Sequence, residues 1–231
     1  MTGSTLHVSR SAERALHLLD VVVTAGDRSL GEAARAVDLP TSTALRHLKA
    51  LELHGWLDRD GSGRFSAGPT LLRLALTSLH DGPTAHLTAA ARPHLDRLSE
   101  ATGETAYLAV RDRTRAIYVA TAESTRAIRH VGWVGRTVPL DGTAVGAALT
   151  GDGRAVGHRN VGAVEPDVSA VVAPVVGADG TVAAAISVLG PSQRLAGLAL
   201  DDAEVAVLAA SDALGSDLRG NHDPTDDGGD A

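Results

Sequence analysis

The stretch Ser29–Ser66 constrains the fold of this chain more than any other part of it. It reads SLGEAARAVDL, then PTSTALRHLKALELHGWL, then DRDGSGRFS. Ser29 is a good N-cap, and Glu32 three residues on completes a capping box. Leu30, Ala33, Ala34 and Val37 recur at helical spacing. Asp38-Leu39-Pro40 stops that helix, because a residue before proline avoids the helical region. A second helix starts at Thr41 or Ser42, both competent caps. Its stripe of Ala44, Leu45, Leu48 and Leu51 suits packing on the first helix. The other face carries Ser42, Arg46 and Lys49, with Thr43 and His47 beside them. Gly55 is the expected C′ residue.

Trp56–Arg59 and Arg64–Ser66 are short β-capable runs around Asp60-Gly61-Ser62-Gly63, which reads as a hairpin with a glycine-rich tip. Arg59 and Arg64 flank the tip. Helix, turn, helix and hairpin in this order describe a winged helix-turn-helix, whose second helix enters the DNA major groove. Hydroxyls near the start of that helix and cations further along suit phosphate and base-edge contacts. Each feature alone fits an ordinary surface helix pair; the ordered set is what points to DNA.

Composition narrows the remainder. With 231 residues the chain can hold one large or two small domains. There is no cysteine, so disulfides and thiolate metal sites are excluded. The start, MTGSTLHVSRSAER, has no apolar core of a signal peptide, and no apolar run is long enough to span a bilayer; a cytoplasmic location is expected. Net charge is −7, yet the acidity is uneven. Residues 1–80 carry nine Lys/Arg against eight Asp/Glu, and residues 81–231 carry twelve against twenty. A near-neutral DNA module must gather its cations on one face and gain affinity by dimerising. Aromatics are only 2%, which disfavours single-strand and RNA modules built on stacking.

Along the chain, residues 1–9 read as a flexible arm. Ser9 or Ser11 caps a helix bearing Ala15, Leu16, Leu18, Leu19, Val22 and Val23, which ends at Gly26. Residues 10–68 thus form the DNA-binding domain. Pro69 suits the first turn of a helix, apolar on more than one side and fit for burial in one large domain, and the break Asp81-Gly82-Pro83, where a linker falls, ends it. Residues 84–102 are helical, interrupted or kinked at Pro93. From Glu104 the period becomes two. Tyr107–Val110 and Ala116–Ala120 form a hairpin, Ala127–Val134 reads as a third strand, and a short helix ends near Leu149. Val168–Val176 and Thr181–Leu189 form a second hairpin. Asp201 with Glu204 reads as a capping box that opens a last helix. The segment 83–219 is therefore an antiparallel sheet with flanking helices, and the whole chain is α+β. The tail, 220–231, is acidic and reads as disordered.

Several motifs resemble one family. SAERAL with Leu18-Leu19, then LPTSTALR, is similar to the N-terminal pattern of the IclR family of bacterial transcriptional regulators. GETAYLAV, GRTVPLDGTAVGAAL, VVAPV and ISVLGP are similar to its C-terminal domain. Thr41 stands where many members have lysine, and His47 where leucine is usual. Members also carry a longer helical stretch where only about Thr150 to Asp167 joins the short helix to the VVAPV strand. The resemblance implies a winged helix-turn-helix joined to a GAF-like effector domain through a connecting helix and linker, 69–82.

On that basis Ser29, Thr41, Ser42, Thr43, Arg46, Lys49, Arg59 and Arg64 are the expected DNA-binding residues. A homodimer, or a dimer of dimers, on a palindromic operator is implied, with recognition helices roughly 34 Å apart or a multiple of it. The resemblance places a small organic or aromatic acid at Thr143, Ala144, Val145, Ala170, Ser187 and Leu189. A helix start offers free N–H groups to a carboxylate, though small residues there also simply allow close packing. No cofactor or metal is expected, since the ten histidines show no paired-ligand spacing. Neither a G-x-S-x-G elbow nor a cysteine nucleophile is present. The expectation is a regulator, a repressor rather than an activator. An effector-blind DNA-binding protein and, more remotely, a small-molecule enzyme are the alternatives.

Overall fold

A computed structural model describes residues 9–154 and 156–220. The expected arm up to Val8 and the tail from Asn221 lie outside the described residues. The chain divides after Gly82 into two compact units.

The N-terminal unit runs α1 (Arg10–Ala25), β1 (Asp27–Arg28), α2 (Leu30–Ala36), α3 (Thr41–Leu53), β2 (Leu57–Arg59), β3 (Phe65–Ala67) and α4 (Pro69–Asp81). Ser9 caps α1, and Gly26 ends it at φ +87°. Ser29 and Glu32 form the full capping box of α2. Gly55, at φ +69°, follows the C-cap of α3, and Pro69 is the first residue of α4. Leu18, Leu19 and Val22 of α1 close a core with Ala33, Ala34, Ala44, Leu48, Leu57 and Phe65. The wing is a three-stranded antiparallel sheet in the order β1-β3-β2. At its tip the Asp60 carboxylate accepts from Ser62 N, Ser62 Oγ and Arg64 N at 2.8–2.9 Å.

The C-terminal unit runs α5 (Pro83–Thr102), β4 (Thr105–Asp112), β5 (Arg115–Ala122), β6 (Thr137–Pro139), α6 (Ala144–Thr150), β7 (His158–Val161), β8 (Val168–Val176), β9 (Val182–Pro191) and α7 (Leu198–Gly220). Its antiparallel sheet has the order β6-β5-β4-β9-β8-β7. One face, with Leu108, Val171 and Ile186, packs on α5 and α7 through Leu95, Val207 and Leu214. The other face, with Tyr107, Tyr118 and Leu189, packs on α6 and Trp133. The architecture is α+β, as expected.

Five local expectations are corrected. First, α3 begins at Thr41 with Pro40 as N-cap, so neither Thr41 nor Ser42 caps it. Second, His47 belongs to the inner face of α3 at 6% exposure; it takes one of the core positions flanking Leu48. Third, α5 is not interrupted at Pro93 but continues through it. Fourth, Ala127–Val134 is not a strand. The edge of β5 is taken by β6, with Arg115 opposite Pro139, so the segment crosses the face and returns through Gly135 N to Tyr118 O at 2.8 Å. Fifth, α7 starts at Leu198, which places Asp201 inside it. The carboxylates of Asp201 and Glu204 instead hold Arg159, at 2.8 Å and 2.6 Å. That clamp fixes β7, an edge strand within the short connector that sequence reading missed.

Candidate functional site

The outer face of α3 carries the polar and cationic residues expected to meet DNA. Thr41, Ser42, Arg46 and Lys49 are exposed and Thr43 is half-buried. Among the described residues neither Arg46 nor Lys49 joins an ion pair, so both cations are free for an external anion. The remaining expected DNA contacts are engaged within the unit. The Ser29 N–H and Oγ both donate to Glu32 Oε2 at 2.8 Å. Those bonds, with Arg64 close by, hold the Glu32 pKa below the usual carboxylate range. Arg64 donates to Asp27 at 2.5 Å and lies 3.3 Å from Glu32. Arg59 stacks over the Phe65 ring at 5.3 Å, a cation–π contact, and its Nε reaches Gly63 O at 3.5 Å. The wing cations thus brace the wing itself.

In the C-terminal unit, five of the six expected effector residues converge on one cavity. Thr143, Ala144, Val145, Ala170 and Leu189 line it together with Tyr118, Trp133, Asn160, Glu165 and Val172. Ser187 does not; it is fully buried, and its Oγ donates to Tyr107 O at 3.5 Å. The Thr143 hydroxyl is committed, donating to Pro139 O at 2.8 Å and accepting from Gly146 N at 3.1 Å. Ala144 and Val145 are the first two helical residues, whose N–H groups find no carbonyl within α6. Gly146 permits close packing, because a Cβ there would run into the Leu140 carbonyl.

The free space within the cavity is about 20 Å3, room for about one water. A wider open groove of about 760 Å3 between α6 and β7 adjoins it and shares Thr143, Ala144 and Asn160. Sequence reading missed Trp133, Glu165 and, behind them, His130. Trp133 Nε1–H donates to Glu165 Oε1 at 3.3 Å, across 32 residues. The only available signal was a rare tryptophan set between glycines in HVGWVG. His130 is buried, and its Nδ1 lies 2.9 Å from the Tyr107 hydroxyl. Burial lowers the His130 pKa, against the opposing pull of Glu165, and raises that of Tyr107 to about 12. Elsewhere His94 joins α5 to α7 through Asp217 at 2.7 Å. Among the described residues no cluster of three or more His, Asp or Glu is placed to hold a metal, and no helix is long and apolar enough to cross a membrane.

The chain matches two family models, the IclR helix-turn-helix domain over residues 11–61 and the bacterial transcriptional regulator IclR C-terminal domain over residues 83–154. Together they account for just over half of it. The second match stops where the short connector begins. The HTH-type transcriptional regulator BhcR of Paracoccus denitrificans is 26% identical over 89% of this chain and 86% of its own length. The glycerol operon regulatory protein of Streptomyces coelicolor is 32% identical over 61% of this chain, and the match spans 55% of that protein. An IclR homologue from Microbacterium hydrocarbonoxydans, solved in complex with 4-hydroxybenzoate, shares the fold with a TM-score of 0.73 at 21% identity, over 91% of this chain and 99% of that one. With reading helix, wing and sheet domain in the expected order, the chain belongs to the IclR family of transcriptional regulators, which are DNA-binding proteins and not enzymes.

Proposed function

We propose that this regulator is a ligand-controlled repressor that binds a palindromic operator as a homodimer or a dimer of dimers. The observation that carries the reading is the convergence of Thr143, Ala144, Val145, Ala170 and Leu189 on one cavity. A small organic or aromatic acid is the ligand class, as with the 4-hydroxybenzoate of the Microbacterium homologue. Among the described residues no lysine or arginine lines the cavity, so the acid's charge would be met by the N–H groups of Ala144 and Val145. Ser42, Thr43, Arg46 and Lys49 would meet the major groove, with Thr41 and the start of α2 at the backbone and Arg59 at the wing. Repression needs only occupancy of a promoter, with no further contact surface. Leu16 and Val23 of α1 and Leu72, Leu74 and Leu76 of α4 are exposed, and this apolar surface supports a dimer contact. A cytoplasmic location follows from work on the chromosome.

Ligand control requires unequal ligand affinity for the DNA-competent and DNA-released states. Gel-shift titration of genomic fragments, with and without a panel of small acids, tests the reading. Release of a bound fragment by one acid is the expected result, and operator binding indifferent to every acid would sink it. The small free volume favours a second reading, an effector-blind regulator whose cavity is filled by its own side chains. Melting temperatures unmoved by the same panel would select that reading.

A further inference from the structure

Trp133 forms part of the wall of the C-terminal cavity. The Trp133 ring makes edge contacts with Tyr118 and with His130, at centroid distances of 4.9 and 4.8 Å. It stands on an irregular segment between Gly132 and Gly135, at φ +77° and +84°. A Cβ at either glycine would touch nothing, so backbone conformation and not space requires glycine there. Ile128, Val131 and Val134 of the same segment are exposed. With Trp133 in place about 20 Å3 remains free, whereas a cavity known to take a benzene ring measures on the order of 150 Å3.

Beside the ring lies an incomplete polar pair. The His130 side chain is only 4% exposed, and its Nε2 has no hydrogen-bond partner among the described residues. Glu165 Oε2 stands 3.5 Å away, too far for a good bond. In the tautomer with the ring proton on Nε2, Nδ1 accepts from the Tyr107 hydroxyl 2.9 Å away and the Nε2 N–H is left over. A donor without an acceptor therefore faces a carboxylate with unused lone pairs. A hydroxyl group satisfies both at once, accepting from His130 and donating to Glu165.

We propose that Trp133 is a built-in occupant of the effector site, and that the ligand displacing it is a planar ring bearing a hydroxyl group. The ring takes the place of the indole between Tyr118 and His130, and the hydroxyl bridges His130 Nε2 and Glu165. This rests on reading the cavity as the effector site. It fixes the chemistry at Glu165 and His130, independently of what meets the first turn of α6.

The full-length protein carrying 5-fluorotryptophan gives two fluorine resonances, one each for Trp56 and Trp133, assigned with W56F. Phenol, toluene and benzoate are titrated separately. Phenol is expected to shift the Trp133 resonance and to bind at least about tenfold more tightly than toluene, the margin of one or two good hydrogen bonds. In W133A, with the space open, all three ring compounds should raise the melting temperature at lower concentration. In W133A/E165L the preference for phenol over toluene should fall several-fold. Equal binding of phenol and toluene, or displacement of Trp133 by benzoate alone, overturns the hydroxyl inference and leaves the effector-site reading standing. If no compound moves Trp133 and none binds W133A, the cavity is not a ligand site and both readings fall, whatever the operator binding.

Discussion

In the N-terminal unit, the side chains proposed to meet DNA stand outside a helix whose inner face is closed by Leu18, Leu48 and Phe65. In the C-terminal unit the side chains around the cavity are themselves the inner layer, drawn from β5, β7, β8, β9, α6 and two irregular segments. The first surface keeps its shape without a ligand, and loss of one outer residue leaves the core intact. As proposed, the second trades one occupant for another, so that each residue there would serve both stability and recognition. Among the described residues the N-terminal unit buries His47 on the core side of α3, and the C-terminal unit buries His130 behind Trp133 besides His94 between α5 and α7. Recognition on an outer face can be altered without touching the fold, whereas recognition in an inner layer cannot.

That contrast can be broken in several ways. Leu48→Ala removes a fully buried side chain and should cost about 2–5 kcal/mol. Each unit has its own tryptophan, so denaturation followed through Trp56 should shift and the Trp133 transition should stay; a common shift would mean that the units unfold as one. Arg46→Ala, on the outer face, should weaken operator binding by about 1–3 kcal/mol with both transitions unmoved. An unchanged gel-shift affinity at fixed salt would remove Arg46 from the reading surface.

The next effect separates the two histidines by pH. Burial holds His47 below its ordinary 6.5, helped by Arg46 and Arg14. Burial also lowers His130, opposed by Glu165 and aided by Arg136. In the unfolded chain both return to about 6.5. Each therefore contributes stability that is complete above that pH and is lost as pH falls through the lower folded value. His47→Leu should flatten the acid limb of the Trp56 transition and spare that of Trp133; no change in either limb would contradict it. The smallest effect is expected at Arg64, which is held by Asp27 and Glu32. Arg64→Ala should weaken operator binding less than Arg46→Ala and leave the salt dependence nearly unchanged, since a cation already paired releases few counterions from DNA. A salt slope reduced by about one would show Arg64 on a phosphate.

The same division governs what the sequence discloses. The capping box at Ser29, the glycine after α3 and the proline opening α4 act within four residues, so they are legible. His47 was misplaced because a histidine at an inner position looks like a polar residue on the outer face. The run Ala127–Val134 has the β-branched content of a strand, but the strand edge it needs is occupied by β6, a fact of topology and not of local pattern. Asp201 and Glu204 have the spacing of a capping box, yet their partner is Arg159, more than forty residues away. The family resemblance supplied Thr143, Ala144, Val145, Ala170 and Leu189. Trp133, Glu165 and His130 belong to segments whose pairing only the closed sheet creates.

A pocket that holds its own tryptophan also sets a response threshold. A ligand that binds only the molecules with Trp133 withdrawn has its apparent affinity reduced by the fraction in that state. If about one molecule in a hundred is open, the ligand concentration needed rises about a hundredfold. Changes at Gly132 or Gly135, which touch neither ligand nor DNA, would reset the dose at which the regulator responds while leaving its choice of ligand and operator unchanged.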